Sequence, residues 1–187
     1  MTDPSALLRE ARQELARFPS LLDGVVAGLS PAGWRARPAP NEWSAVEIVC
    51  HLRDEEAEDF GARVRVVLGG STRFAPIDPV GWAAARRYQA ADPAEALATF
   101  HRHRTESLVM LAGASHKRLA ASGESPSGLR LSGLDLLCAW VAHDGLHLHQ
   151  LVGTLTREWA DRWAPLRADY AGPIPYPKDG ARADSPG

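Results

Sequence analysis

Residues 140–159 read WVAHDGLHLHQLVGTLTREW. An unbroken helical period runs through this stretch, and two histidines stand four positions apart on it. At about 100° per residue, His143 and His147 lie within roughly 40° of each other on one helix face. Leu136, Trp140, Leu151 and Thr154 fall on the same side, so the pair occupies the stripe that a helix turns toward a core. A buried neutral imidazole needs partners for both ring nitrogens. Two imidazoles at this spacing can share one metal ion, with an outer acceptor holding the second nitrogen of each. A water-filled polar pocket, or hydrogen bonds to neighbouring helices, would also satisfy them. His149 is rotated by about 200° from His147 and belongs to another surface.

Working outward, Ser132 reads as the cap of this helix, which extends to about Glu158. The loop ASGESPSG precedes it. Before that, a helix is expected over about 93–121, with Asp92 as N-cap, Pro93 at the first helical position, and Leu97, Phe100, Leu108, Leu111 and Leu119 as its apolar face. The segment STRFAPIDPVGW is a long crossover, with a short helix expected around 82–88. Upstream, Ser44 and Glu47 have capping-box spacing and open a helix running to Gly69-Gly70. The connector PAGWRARPAPNEW is expected to stay out of helix because of Pro31, Pro38 and Pro40. The first helix spans about 4–28. No period-two alternation marks a strand, and no internal repeat is seen. Four amphipathic helices make a four-helix bundle the expected fold, over residues 1–163. An extended or partly disordered Pro/Gly-rich tail is expected over 164–187.

Composition narrows the function. The chain has 187 residues, 45% of them hydrophobic, and 21 Lys+Arg against 23 Asp+Glu give a net charge of -2. This suits one domain with a sizeable core and argues against wholesale disorder or a phosphate-gripping basic surface. No apolar run approaches the roughly 20 residues of a membrane span, and the N-terminal stretch lacks a signal-peptide core, so a soluble, cytoplasmic protein is expected. Two cysteines, Cys50 and Cys138, form no CxxC pair and read as small buried apolar residues. Metal chemistry must therefore come from the seven histidines.

Beyond the pair, His51 on the second helix is the candidate third ligand. It sits at a depth where facing helices can meet it, although the acids around it would equally suit a surface histidine. Asp54 or Glu55 beside it could accept a proton or orient a ligand imidazole. His101 and His103 diverge on a helix and, with Arg102 and Arg104, read as a solvated charged surface. His116 suits a helix end. The segment His143-Asp144-x-x-His147 resembles the His-Glu-x-x-His of zinc proteases, but the shorter acid and the absent sheet edge argue against a protease. Trp34, Trp43, Trp82, Trp140, Trp159 and Trp163 serve core packing, a pocket or an interface.

The segment PNEWSAVEIVCHLRDEEAEDFGARVRVVL, the Pro-bearing crossover, LATFHRHRTESLVML and AHDGLHLHQLVGTL follow in an order that resembles the DinB-like superfamily of small helical bundles. The carrying motifs are the Trp-Ser-x-x-Glu helix start with a downstream His, and the terminal His-x-x-x-His followed by a Gln. The resemblance implies an antiparallel four-helix bundle in up-up-down-down order. It also implies a divalent metal, zinc or nickel, held by His51, His143 and His147. Relatives are similar to S-transferases that use low-molecular-weight thiols such as bacillithiol or mycothiol, and to mycothiol-dependent maleylpyruvate isomerases. The activity so implied is transfer of such a thiol, as co-substrate, to an electrophilic small molecule. A metal-dependent hydrolase and a non-catalytic metal- or small-molecule-binding bundle are the alternatives. The family name records an association with DNA-damage stress, which implies no DNA binding. A homodimer without nucleic-acid or membrane partners is expected.

Overall fold

The computed structural model describes residues 3–177. Four long helical segments dominate it: α1 (Pro4–Val26), the continuous run α3 (Ala45–Glu55), a π-turn (Glu56–Phe60) and α4 (Gly61–Leu68), then α6 (Pro93–Ala112) and α8 (Gly133–Arg162). Three short helices, α2 (Pro31–Arg35), α5 (Pro79–Ala85) and α7 (His116–Leu119), lie in the connections. The starts follow from their caps. Asp3 accepts from the Ser5 amide, Asp92 from the Ala94 and Glu95 amides, and Ser132 from the Asp135 amide. At Ser44 the Glu47 carboxylate reaches back to the cap amide at 2.9 Å.

Three local expectations are corrected. Pro31 begins α2 instead of preventing it, because a proline at the first helical position lacks only an amide that would be unpaired anyway, and Ser30 caps the turn. α6 ends at Ala112, short of Ala121, and α7 follows as a separate turn. Two three-residue strands, β1 (Ser122–Glu124) and β2 (Arg130–Ser132), pair antiparallel with Gly123 opposite Leu131. They are too short for alternation to register. Gly123 is required there, since a Cβ would stand 2.4 Å from the Phe74 ring.

Contacts along the helices fix their directions. α1 meets α6 through Arg12 with Leu111 and Leu15 with Arg104, and further on through Asp23 with His101, an antiparallel pairing. The α3–α4 run meets α6 through Arg53 with His103 and Glu56 with Arg104, and Gly61 abuts Ser107, which is parallel. It meets α8 through Trp43 with Thr154, His51 with His143 and Phe60 with Trp140, which is antiparallel. The bundle therefore runs up-down-down-up. The four-helix bundle stands, but the up-up-down-down order does not: the long crossover between α4 and α6 returns the chain to the starting end, so that α6 repeats the direction of the helix before it.

The apolar core has two parts. One gathers Phe18, Leu22, Ile48, Leu52, Phe100 and Leu151, and the other gathers Leu8, Phe60, Val64, Leu111, Leu136 and Trp140. Between them, on the α3–α4 run, α6 and α8, lies a polar layer that includes His51, Glu55, Glu56, Arg104 and Asp144. Past α8, Arg157 Nε donates to the Pro175 carbonyl at 2.9 Å, and Pro175 and Tyr176 cover Gly153. The expected extended tail thus includes a docked stretch, and residues 178–187 lie outside the described residues. No described helix is long and apolar enough to cross a membrane.

Candidate metal centre

α3 delivers His51 to the polar layer, and α8 delivers His143 and His147. The Nε2 atoms of His51 and His143 stand 3.2 Å apart, and one ring nitrogen from each of the three histidines falls within 4.8 Å of the others. The Trp43 ring lies against His51 at 4.9 Å and stacks on His147 at 6.3 Å, while Phe60 packs against His143 at 5.0 Å. These aromatic walls make the setting poorly solvating. Burial, then the neighbouring histidine charge, pushes His51 and His143 down to about 3, and burial also lowers His147. All three imidazoles are therefore neutral at pH 7, the form in which a ring nitrogen binds a metal.

The outer nitrogens differ. His147 Nδ1 donates to Gln150 Oε1 at 2.8 Å, which leaves its Nε2 lone pair free. His51 Nδ1 is buried with no hydrogen-bond partner, and Glu55 Oε1, itself without one, lies 4.0 Å away. Burial, then the adjoining Asp59 carboxyl, raises Glu55 to about 8. Two ligand nitrogens on a tetrahedral ion at about 2.0–2.1 Å are about 3.3 Å apart, close to the observed His51–His143 spacing. The residues present thus fit a divalent ion of the kind imidazole favours, and ligand type alone does not choose between zinc and nickel.

The other candidates separate cleanly. Asp54 does not face the histidines. Burial would raise its pKa, but bonds from Arg53, Tyr88 and Arg86, each 2.6 Å, hold it below the ordinary value. It anchors the crossover to α3, which leaves Glu55 as the acid beside His51. His149 is exposed. His101 pairs with Asp23 at 2.8 Å, His103 contacts the Arg53 carbonyl at 3.3 Å, and His116 contacts Ser5 at 2.9 Å, so none approaches the triad. Cys50 is buried, and burial pushes its thiol up to about 11. Cys138 is exposed, contrary to expectation, because it lies on the outer side of α8.

Arg104, expected on a solvated surface, is instead 1% exposed. Its Nε donates to Glu56 at 2.9 Å, its two terminal nitrogens grip Asp144 at 2.7 and 3.0 Å, and one of them also donates to the Leu15 carbonyl at 2.9 Å. Asp144 therefore belongs to this ion cluster, with burial raising it to about 6 against the opposing Arg104 charge. A signal existed: Arg104 lies in the three- and four-residue series Leu97, Phe100, Leu108, Leu111.

Comparison with known proteins settles the family. The DinB superfamily model matches residues 14–151. The chain belongs to the DinB superfamily. Among solved structures it is similar to YfiT from Bacillus subtilis, described as a probable metal-dependent hydrolase with an unusual four-helix bundle topology. The two share 19% identity at a TM-score of 0.74, over 82% of this chain and 87% of that one. It is also similar to a mycothiol-dependent maleylpyruvate isomerase, at 12% identity and a TM-score of 0.64, over 81% of this chain and 63% of that enzyme. At these identities the likeness establishes the fold. No curated protein sequence matches the chain significantly. The histidine triad itself supports a divalent metal.

Proposed function

We propose that this DinB-superfamily protein is a metal-dependent enzyme that transfers a low-molecular-weight thiol to an electrophilic small molecule. His51, His143 and His147 would hold a divalent ion, zinc or nickel. The observation that carries the reading is the convergence of three neutral imidazole nitrogens within 4.8 Å. Three protein ligands leave coordination positions open, the arrangement of catalytic rather than structural sites. When bound, such an ion lowers the pKa of a thiol or water and so supplies a nucleophile at neutral pH. The chain's own residues do the rest. Gln150 holds His147 in the tautomer that presents Nε2, and Glu55, beside His51 Nδ1, would accept its outer N–H once a bound cation has ionised the carboxyl. Trp43 and Phe60 exclude water from the ligand side. Cys50 stays protonated and Cys138 lies outside, so the sulfur would come from a bound small molecule.

Hydrolysis is the second reading, favoured by the fuller two-way coverage of the likeness to YfiT. A homodimer is proposed as the working form, with Trp159 and Trp163 as exposed apolar surface for it. The test is to purify the protein, measure bound metal by elemental analysis, and follow thiol consumption with electrophilic acceptors and ester cleavage for wild type and His147→Ala. Thiol turnover lost in the variant supports transfer. Ester turnover without thiol use moves the reading to hydrolysis. Metal without any turnover makes the protein a binding module, and wild type that takes up no metal overturns the proposal.

A further inference from the structure

The ion cluster behind the triad is more than packing. Arg104 projects from α6 and touches the three other long helices: Leu15 on α1, Glu56 on the α3–α4 run, and Asp144 on α8. Its two carboxylate partners flank the candidate ligands. Glu56 is five residues beyond His51, and Asp144 lies directly after His143 and three residues before His147. Trp140 Nε1 also donates to Glu56 at 3.1 Å, and Trp140 stacks on Phe60, which packs against His143. Stability alone does not account for such a cluster, because apolar residues of similar volume hold helices together as well or better. A guanidinium adds geometry. Its planar fork donates to a bidentate carboxylate at one depth and one rotation, a directional constraint that apolar contacts lack. With one fork fixed to Asp144 and its Nε fixed to Glu56, the separation and rotation of α8 against α3 are set.

We infer that Arg104 is a positioning residue for the metal centre, holding α3 and α8 at the spacing at which His51, His143 and His147 converge. This rests on the metal-site reading above and adds what maintains it.

Co²⁺ is the probe ion, since its visible absorption reports ligand geometry directly. The variants are Arg104→Lys, which keeps the charge and loses the fork, and His147→Ala, which removes a ligand. A third, Leu119→Ala, is a buried control packed on Gly133, ten residues and about 15 Å along α8 from His143. Arg104→Lys is expected to weaken Co²⁺ binding about 10- to 100-fold, the range for residues that support metal ligands, and to shift the absorption bands. Leu119→Ala is expected to lower the melting temperature while leaving the bands and affinity unchanged. An Arg104→Lys protein with wild-type bands and affinity, beside a His147→Ala protein that has lost them, overturns the positioning role and leaves the metal site standing. Wild type that binds no Co²⁺ overturns both. If Arg104→Lys does not fold, Asp144→Asn, which keeps the shape and loses the ionic grip, is read by the same two measures and the same outcomes.

Discussion

Arg104 and its two carboxylates are bonded to each other and to three helices, whereas His51, five residues before Glu56 on the same run, is buried with an outer nitrogen that meets nothing. Both groups lie in one polar layer between two apolar clusters, so burial is common to them and cannot explain the difference. The ion cluster is nearly closed because the guanidinium supplies five donors in a fixed fork, and Glu56 Oε2, both Asp144 oxygens and the Leu15 carbonyl use them, leaving Glu56 Oε1 as its one unpaired atom. The histidine group is open because three neutral imidazoles converge with at most one hydrogen bond among them, between His51 and His143, and His51 Nδ1 has no partner. A closed network needs nothing from outside. Three converging imidazole nitrogens can share a cation, which is why the second group and not the first reads as a binding site.

The contrast predicts that damage to the two layers will separate. Replacing Arg104 by Met strands Glu56 and Asp144 without a counter-charge, and breaking a buried ion group in this way costs about 3–5 kcal/mol. Urea denaturation of the metal-free protein should show that loss. His147→Ala should do the reverse. The metal-free protein should keep its stability to within about 1 kcal/mol, since no closed network is broken, while metal affinity falls more than about 100-fold, beyond the range for outer-sphere changes. Chelator competition measures that affinity. If both substitutions cost stability equally, the two layers are one structural unit and the distinction fails. A smaller effect is expected for Gln150→Ala, which removes the acceptor on His147 Nδ1 and keeps the ligand. Affinity should drop about 10- to 100-fold in the same competition assay.

The sequence disclosed these layers unevenly. The His143–His147 pair was visible because both members sit on one helix, where spacing converts directly to angle. The caps at Ser44, Asp92 and Ser132 were visible for a similar reason, each being a contact within three residues. His51 could be named from its depth on the second helix, but only the family resemblance set it above a surface histidine, because no spacing rule links two helices separated by 92 positions. Arg104 was hidden by its neighbours: FHRHR looks solvated as a string, and only the periodicity of α6 places the second arginine inward. The π-turn was invisible because it changes helix phase without changing composition. Gly61 hints at it, since a Cβ there would stand 2.2 Å from the Glu56 carbonyl oxygen. Helix direction was lost for another reason. Apolar stripes say which face is inside and nothing about which way a long crossover carries the chain.

The smallest effect, and the sharpest test of the open layer, concerns Glu55. Its folded pKa is raised to about 8 from an ordinary 4.5, so the native protein holds a proton that the unfolded chain has released. The stability this contributes is complete below about pH 4.5 and is lost as pH rises toward 8. The histidines act in the opposite sense. With folded pKa values below the ordinary 6.5, their contribution is complete above that pH and is lost on acidification, so the two trends overlap between 4.5 and 6.5. Between pH 6.5 and 8 Glu55 alone remains among these groups. The metal-free wild type should lose stability there with a slope of up to about 1.4 kcal/mol per pH unit, and Glu55→Gln should flatten it. Loading with zinc makes His51 a fixed donor through Nδ1 and gives the Glu55 carboxylate a reason to ionise, so the wild-type slope should shrink in the loaded protein and the Gln variant should show no such change. A slope that zinc leaves untouched would mean that Glu55 answers to Asp59 alone and takes no part in holding His51.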